Sequence, residues 1–502
     1  MLRMSLARLV SFAVLFVAIG APACSSSDAS PDDGGGGHAG EFAAGGAGGE
    51  GAGGGQGGAA LGCSPACPAH RVCLPDVNAC VVEADLGPPD AGLADVFESI
   101  WSFYDTEYGA FPIKEVDWAA VREATLSEIA DAPSRFWQLW AITGAVAAIG
   151  DGHTGAYAFD ICGATSGLAA NFTNTGACVT EVDGRLVVYA TSAESTLEVG
   201  DEIVAVDDRA VASLIGDVVH QPRCAASTST SEQARWQAVD SVMFRPDGDE
   251  TFTVVRGDET IPVPIERITP QSCQRLLPPP LDVDHGSGVT STLLASGALY
   301  VRLPTFFVLD ANGNPDAASL TASLRDAFEL APAEGVILDV RSNPGGFPAV
   351  YMALASWLFD AETDLFQCQS KDGPGHDDHG LAWTMTSAPD PTLHYAGPLA
   401  LLVDARSFSA ADFTYGWMSE TGRARTFGHR SGGGFGNGAS ETNVGGAHFQ
   451  LGYNDILCRS MAGEPLEGSP PPIAEPVALT EAGIAAGQDD VIVAAETWLV
   501  AQ

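Results

Sequence analysis

The sequence predicts an α/β protein with a helical segment near its N-terminal end and a small, mainly β unit in its middle. Three patterns support this prediction. Apolar residues recur at helical spacing from Ala91 to Ile149. Short runs that alternate between apolar and polar residues, as strands do, follow between about Ser166 and Ile265. From Ala298 onward, strand and helix patterns alternate, which indicates helices layered on a sheet.

Particular segments support each part of this architecture. Residues 91–155 form the helical segment, whose pattern ends at Gly150-Asp151-Gly152. Residues 166–270 form the mainly β unit, and the prolines Pro278–Pro280 mark a linker. Residues 290–502 form the α/β core. Its predicted elements are the strands Leu299–Leu303, Gly335–Val340 and Leu399–Asp404 and the helices Asp316–Leu330, Ala349–Phe359 and Ala410–Glu420.

The composition limits the classes of function. Of 502 residues, 46% are apolar, enough for a large core, and the length suggests two to four domains. The chain has 23 basic and 64 acidic residues, a formal net charge of −41. Such a charge repels phosphate, so nucleic acids and anionic membrane surfaces are poor candidate partners. The chain has only two lysines, Lys114 and Lys371, so a mechanism based on a catalytic lysine has two candidates.

Residues 1–23 are typical of a secretion signal, because Arg3 and Arg8 precede an apolar run that is too short for a lasting transmembrane helix. The segment that ends at Cys24 resembles a bacterial lipoprotein box, although ordinary A-x-A cleavage also fits it. Fifteen of the thirty residues from Pro31 to Ala60 are glycine, so residues 24–62 are expected to form a flexible tether. We therefore expect an exported protein, periplasmic or on the cell surface, anchored to a membrane by a lipid on Cys24.

The remaining ten of the eleven cysteines are an even number, which favours disulfides in an exported chain. Residues 63–82 hold four of them and are expected to form a small stapled module. A zinc site is the rival interpretation, but paired C-x₂-C spacing is missing. The other six allow fifteen pairings, among which the sequence does not choose: Cys162, Cys178, Cys224, Cys273, Cys368 and Cys458.

Ser409 lies where a buried strand, a short loop and a helix beginning at Ala410 follow one another. Backbone amides at a helix N-terminus are unpaired and carry partial positive charge. Ser409 is therefore placed either to cap the helix or to act as a nucleophile whose oxyanion meets adjacent amides.

Two further loops are candidates for chemistry. The strand that ends at Val340 is followed by Arg341-Ser342-Asn343-Pro344-Gly345-Gly346, and paired glycines let backbone amides approach a ligand closely, although they also suit a plain turn. His153 follows the end of the helical segment and is either a solvated loop histidine or a catalytic base. A Ser/His/carboxylate triad occurs in any chain order, so sequence separation does not exclude the pair.

Five motifs in order carry a resemblance to a known family. They are Asp151-Gly152-His153-Thr154, Leu197-Glu198-Val199-Gly200-Asp201-Glu202-Ile203, Leu338–Gly346, Ser407–Phe413 and Gly428–Gly433. Together they resemble the serine peptidase family of C-terminal processing proteases and tricorn core proteases, from about Asp95 to the C-terminus. The resemblance implies a crotonase-like α/β core, a PDZ-like domain and an N-terminal helical segment. It implies polypeptide substrates. We expect no cofactor and no metal.

The resemblance also implies roles for single residues. Ser409 matches the nucleophile, and the amides of Ala410 and of Gly345 or Gly346 match the oxyanion hole. In the tricorn-like branch, a histidine at the position of His153 is the base. A glutamate near the C-terminus orients that histidine; the best match is Glu467, with Glu464 and Glu441 as competitors.

The branch of the family that uses a lysine places this base 25 residues after the serine, where this chain has Gly434. Lys371 precedes the serine and Lys114 belongs to the helical segment, so a Ser/Lys mechanism is not expected. Asp412, where the family commonly has glutamate, is expected to affect packing more than chemistry. The segment Leu197–Val206 resembles a PDZ strand, and such domains capture extended peptides at a sheet edge, although the unit would equally serve to pack on the core.

The expected function is that of a serine endopeptidase that cleaves extended or unfolded polypeptides. Two alternatives remain open: a catalytically silent carrier of an apolar ligand with the same fold, and an envelope scaffold. Metal catalysis is less favoured, because the cluster His376-Asp377-Asp378-His379 lacks the H-E-x-x-H pattern. The glycine-rich Gly432–Gly438 lacks the ending of a phosphate-binding loop.

Overall fold

The computed structural model describes residues 71–74, 79–82, 86–158, 160–161, 173–207, 209–219, 227–245, 251–265, 283–332, 334–441, 444 and 449–502. The predicted signal segment, Cys24 and the glycine-rich tether lie outside these residues. Within residues 63–82, the structure describes a hairpin of β1 (Arg71–Leu74) and β2 (Ala79–Val82), in which Cys73 is the register partner of Cys80.

Three helices form the N-terminal segment: α1 (Leu93–Glu107), α2 (Trp118–Asp131) and α3 (Arg135–Ala147). Their apolar faces are buried against one another, as the helical spacing predicts. The side chain of Asp117 caps α2 by accepting the Ala120 amide. After α3 the chain forms β3 (Gly155–Ala158), which pairs with a strand of the C-terminal part, β21 (Phe449–Tyr453). This pairing fixes the end of the helical segment against the α/β core.

The mainly β unit is a sheet whose strands lie in the order β11-β10-β7-β6-β5, with β8 paired to β7. Two helices cover it: α4 (Val211–Val219) and α5 (Ser231–Val242). The strand bounds are β5 (Ala177–Val182), β6 (Arg185–Thr191), β7 (Glu202–Val206), β8 (Arg209–Ala210), β10 (Thr251–Arg256) and β11 (Glu259–Pro264), and β4 (Thr173–Asn174) pairs separately with β9 (Phe244–Arg245).

The α/β core is built on a seven-stranded sheet of order β12-β13-β14-β15-β18-β19-β23. The pairs from β14 to β23 are parallel. Every residue of β15 and β18 is buried, which explains why these strands are continuous apolar runs: helices cover both faces of a parallel sheet. The bounds are β12 (Val283–Asp284), β13 (Thr290–Leu293), β14 (Leu299–Arg302), β15 (Val336–Asp339), β18 (Leu399–Val403), β19 (Arg425–Gly428) and β23 (Glu475–Pro476).

The helices of this core are α6 (Ala317–Glu329), α7 (Pro348–Leu358), α8 (Ala410–Glu420), α9 (Glu481–Ala485) and α10 (Asp490–Val500). The remaining strands are β16 (Thr363–Ser370), β17 (Trp383–Ser387), β20 (Ala439–Glu441) and β22 (Ile456–Arg459). A disulfide between Cys368 and Cys458 joins β16 to β22, and Cys178 is also disulfide-bonded. None of the described helices has the length and apolar character required to cross a membrane.

Parallel strands end at a common sheet edge, and this edge positions the candidate site. The loop after β15 and the loop after β18 meet there, where the amide of Phe408 donates to the carbonyl of Asn343 at 2.9 Å. Ligands of open α/β sheets bind at the carboxyl ends of such strands. The β unit also reaches this edge: Asp240 on α5 accepts a hydrogen bond of 2.6 Å from Arg406 Nε, and the Arg406 guanidinium lies 4.4 Å from the Trp236 ring centroid.

Candidate active site

Ser409 lies at the N-terminal edge of α8 in a backbone conformation that residues other than glycine rarely adopt. Its φ is 58° and its ψ is −117°. A positive φ at a non-glycine residue costs about 1–3 kcal/mol, so the surroundings must hold it. The carboxylate of Asp412 does so by accepting the Ser409 amide at 2.8 Å. The strand, the turn and the helix thus expose a serine hydroxyl at the edge of the sheet.

Asp412 is buried and holds a second segment as well. Its two carboxylate oxygens accept the amides of Gly433 and Gly434, each at 2.9 Å. Burial raises the pKa of Asp412 to about 7, and the hydrogen bonds that it accepts from the amides of Gly433, Gly434 and Ser409 oppose that shift. The residue therefore joins the Ser409 turn to the glycine-rich loop. This role in holding the backbone exceeds the packing effect expected from the sequence.

His153 lies beside Ser409 although 256 residues separate them: Nε2 is 3.0 Å from the Ser409 Oγ. The loop after α3 carries the histidine, and the ring packs against Phe408 with centroids 4.6 Å apart. Burial lowers the pKa of His153 to about 4, Asp151 opposes this shift and Lys114 adds to it. At neutral pH the imidazole is therefore uncharged and able to accept the serine proton.

Asp151 fixes the loop that carries His153. It is completely buried, and its Oδ1 accepts the His153 amide at 2.8 Å. Its Oδ2 accepts the Tyr108 hydroxyl at 2.8 Å and the Asn454 amide group at 3.1 Å. Asp151 Oδ1 also lies 3.9 Å from His153 Nδ1. A carboxylate on this side of the ring stabilises a charged imidazolium.

Glu467 is a second carboxylate near the ring. It is buried, and Asp151, His153 and Glu467 each place one oxygen or ring nitrogen within 4.8 Å of the other two. Burial and Asp151 raise the pKa of Glu467 to about 8, and Lys114 and the Ser229 hydroxyl oppose the rise. Glu464, its sequence competitor, is exposed.

The same three side chains are of the types that ligate zinc. However, the ammonium group of Lys114 lies 3.0 Å from Glu467 Oε1, so a metal ion there would compete with a cation that is already present. We therefore assign no metal to these residues. In the cluster His376-Asp377-Asp378-His379, His376 is hydrogen-bonded to Asp105, and His379 is hydrogen-bonded to the carbonyl of Gly109.

The backbone amides beside Ser409 differ in whether they already donate a hydrogen bond. The Gly345 amide donates to Asn343 Oδ1 at 2.8 Å, so this member of the predicted oxyanion hole is already bonded. Within the part of the chain that the structure describes, no acceptor is bonded to the amides of Ala410 and Gly346. Gly345 packs on the serine: a Cβ added there would lie 2.5 Å from the Ser409 Cβ and 2.8 Å from the Ala410 nitrogen.

The close approach of the Phe408 ring explains why position 434 is a glycine. A Cβ there would lie 2.0 Å from the Phe408 ring, and a Cβ at Gly152 would lie 2.4 Å from the same ring. Phe408 fills the space between these glycines and packs on His153. A lysine side chain at position 434 would therefore displace the ring that supports the histidine.

The structure brings Ser409, His153, Glu467, Ala410 and Gly346 into one place, and Cys24 lies outside the described residues. Three residues of the site were not predicted. The sequence pattern places Lys114 in the helical segment, although its being one of only two lysines is a signal. Asp151 stands in the motif Asp151-Gly152-His153-Thr154, where the sequence assigns a role only to the histidine. Ser229, whose hydroxyl accepts the Gly152 amide at 2.8 Å, stands in a Ser/Thr-rich run without any distinguishing pattern.

A strand-turn-helix serine beside a buried histidine defines the general class of serine hydrolases. Comparisons narrow this class. Residues 297–456 match the model of peptidase family S41. A structure of mature CPAF aligns with a TM-score of 0.65 at 16% identity, covering 82% of this chain and 97% of that one. A structure of mature CPAF complexed with lactacystin aligns with a TM-score of 0.64 at 15% identity, covering 82% and 98%.

The photosystem II D1 C-terminal processing protease aligns over 78% of this chain and 94% of its own at 19% identity, with a TM-score of 0.44. No curated protein shows a significant sequence match. The family match covers the segment that contains the Gly345-Gly346 loop and Ser409. For this segment, the match confirms the resemblance at the level of peptidase family S41 and supports a serine peptidase, and the CPAF structures share the fold.

Proposed function

We propose that this protein is an exported, lipid-anchored serine endopeptidase that cleaves extended or unfolded polypeptides through an acyl-enzyme. The separation of 3.0 Å between His153 Nε2 and Ser409 Oγ carries the proposal. A serine hydroxyl is a weak nucleophile until a base removes its proton, and this contact is within reach of that transfer.

In the proposed reaction, Ser409 Oγ attacks the peptide carbonyl while His153 Nε2 takes the hydroxyl proton. The carboxylates of Asp151 and Glu467 lie near the ring and stabilise the imidazolium. The imidazolium then protonates the leaving amine, and an acyl group remains on Ser409. Water attacks this ester with His153 again as the base, which releases the acid and restores the serine.

The oxyanion forms beside the N-terminus of α8. The amides of Ala410 and Gly346 are the proposed donors, because the Gly345 amide is bonded to Asn343. A well-aimed donor of this kind lowers the barrier by about 2.7–4 kcal/mol. The close packing of Gly345 on Ser409 keeps the two loops that carry these amides together.

The proposal has finer parts. The α/β core is proposed to be crotonase-like, and the sheet from β5 to β11 with its helices to be a PDZ-like domain. Support comes from the edge position of β5 and from α5 lying beside it, where Arg235 Nε bonds to Glu181 at 3.0 Å. An extended peptide added along such an edge would be bound through its backbone, which suits unfolded substrates.

The test is the reaction of purified protein with a fluorophosphonate probe, located by peptide mass spectrometry. We expect labelling on Ser409, and its loss in S409A and H153A. S419A, at the other end of α8, and H394A, at an exposed histidine, serve as matched controls and should label normally. Cleavage of unfolded casein should follow the same pattern, and a folded globular protein should stay intact.

Absence of labelling in folded wild-type protein would instead favour the silent ligand carrier or scaffold. Lipid attachment is tested separately, by mass spectrometry of Cys24 in protein extracted from membranes. Hydrogen exchange on S409A tests the PDZ-like proposal, because added peptide should protect the β5 amides.

A further inference from the structure

Lys114 lies within the candidate active site. It follows a single 3₁₀ turn, Phe111–Ile113, and only 10% of its side chain is exposed. Its ammonium group donates to the Gly150 carbonyl at 2.6 Å and to Glu467 Oε1 at 3.0 Å. The residue thus connects the N-terminal segment to a carboxylate that the C-terminal core supplies.

The surroundings of Glu467 favour a cation beside it. The side chains of Glu467 and Asp151 are both fully buried, and a carboxylate oxygen of each lies within 4.8 Å of the other. Two buried carboxylates at that distance favour protonation of one of them. The titratable groups that face Glu467 are Asp151, His153, Lys114 and Tyr108, and the Ser229 hydroxyl is its uncharged partner. Lys114 is the positively charged member of this set.

Resting on the proposed Ser/His function, we infer that Lys114 is a positioning residue that favours the charged form of Glu467 beside His153. It acts through Glu467. A neutral carboxylic acid stabilises an imidazolium far less than a carboxylate does, so His153 becomes a weaker base when Glu467 holds a proton. The ammonium group opposes that protonation and fixes Glu467 Oε1 in place.

This arrangement has a signature in the pH dependence of catalysis. Burial raises the pKa of Glu467 to about 8 although Lys114 opposes it, so reactivity of the wild type should increase with pH through about 8. Removing the cation raises that pKa further. The reactivity of a variant without the charge should therefore increase only at higher pH.

The experiment measures the rate of fluorophosphonate labelling against pH for the wild type, K114M, E467Q, the double variant K114M/E467Q and K371M. We expect the K114M midpoint to move upward by one pH unit or more, with labelling at neutral pH slower by about 10-fold. E467Q should not show this increase of the labelling rate with pH. The double variant should label no more slowly than E467Q, because the lysine acts through the glutamate. K371M, which changes the other lysine, should match the wild type.

Two results overturn the inference: a K114M midpoint equal to that of the wild type, or a double variant slower than E467Q by the full K114M factor. The second would mean that Lys114 acts by packing. If circular dichroism shows K114M to be unfolded, K114Q replaces it, since glutamine retains an N–H donor without the charge; a wild-type midpoint in K114Q also overturns the inference. Wild-type protein that fails to label would refute the proposed function instead, so the two failures are distinguishable.

Discussion

The carboxylate of Asp412 accepts the backbone amide of Ser409 at 2.8 Å, and this bond holds the serine in its left-handed conformation. The same carboxylate accepts the amides of Gly433 and Gly434. One buried side chain therefore holds three backbone donors around the nucleophile, and its two oxygens are both needed.

We expect D412N to destabilise the protein by about 1–3 kcal/mol, because the asparagine NH₂ group would face at least one buried amide donor and leave it unpaired. Labelling of Ser409 should slow as its turn loosens. Denaturant unfolding and the labelling rate measure the two effects. D326N, at an exposed aspartate on α6, controls for the charge change and should alter neither quantity. A D412N protein with wild-type stability would contradict the role given to Asp412.

The contact between Gly345 and Ser409 predicts a second outcome. In G345A the new Cβ would lie 2.5 Å from the Ser409 Cβ at a residue whose φ is +96°. Since the loops must separate, the serine moves relative to the oxyanion donors, and labelling should decrease by about 100-fold.

G313A is the matched control for G345A. Gly313 has a φ of +81° and no atom within 4 Å of an added Cβ, so this variant carries similar backbone strain away from the site. Its labelling rate should equal that of the wild type. Equal losses in both variants would attribute the effect to strain alone.

The burial of His153 predicts how stability depends on pH. Its pKa in the folded state is about 4 against an ordinary value of 6.5, so the unfolded chain binds the proton more strongly. Stability from the neutral histidine is therefore complete above about pH 6.5 and is lost as pH decreases toward 4. The loss amounts to about 3 kcal/mol.

The measurement is the free energy of unfolding against pH for the wild type and H153Q. Their difference isolates the histidine, because all carboxylates titrate in both proteins. We expect it to shrink by about 3 kcal/mol between about pH 6.5 and about pH 4. H394Q, at an exposed histidine, should keep the wild-type dependence. A constant difference between the wild type and H153Q would be inconsistent with a buried neutral imidazole.

The elements of the core were predictable from sequence because their physical causes are local. The helix Ala410–Glu420 has the predicted bounds, and the strands Val336–Asp339 and Leu399–Val403 lie within the predicted apolar runs. A parallel strand buried on both faces is a continuous apolar run, and sequence alone shows it.

The electrostatic surroundings of the site were less accessible to prediction. Lys114 meets Glu467 across 353 positions, and Ser229 meets Gly152 across 77. Such contacts depend on how the helical segment docks through β3 and on the path of the chain before α5. Sequence periodicity records which face of an element is buried, but it does not record which polar groups meet there. Likewise, only the folded loop shows that Asn343 engages the Gly345 amide.

The ion pair between Arg406 and Asp240 supports a last prediction, since it connects the β unit to the loop that carries Ser409. Arg406 Nε bonds to Asp240 at 2.6 Å, and the guanidinium also lies over Trp236. Arg406 is three residues from the nucleophile, so D240N should loosen this loop and slow labelling by several-fold while the core stays folded.

The control for D240N is E181Q. This variant removes the partner of Arg235, which lies on the same helix as Asp240, but the bond between Arg235 and Glu181 stays within the β unit and does not reach the core. The measurement is the labelling rate of both variants, and circular dichroism checks that they are folded. Equal rates for D240N and the wild type would mean that the β unit and the nucleophile loop are not coupled through this pair.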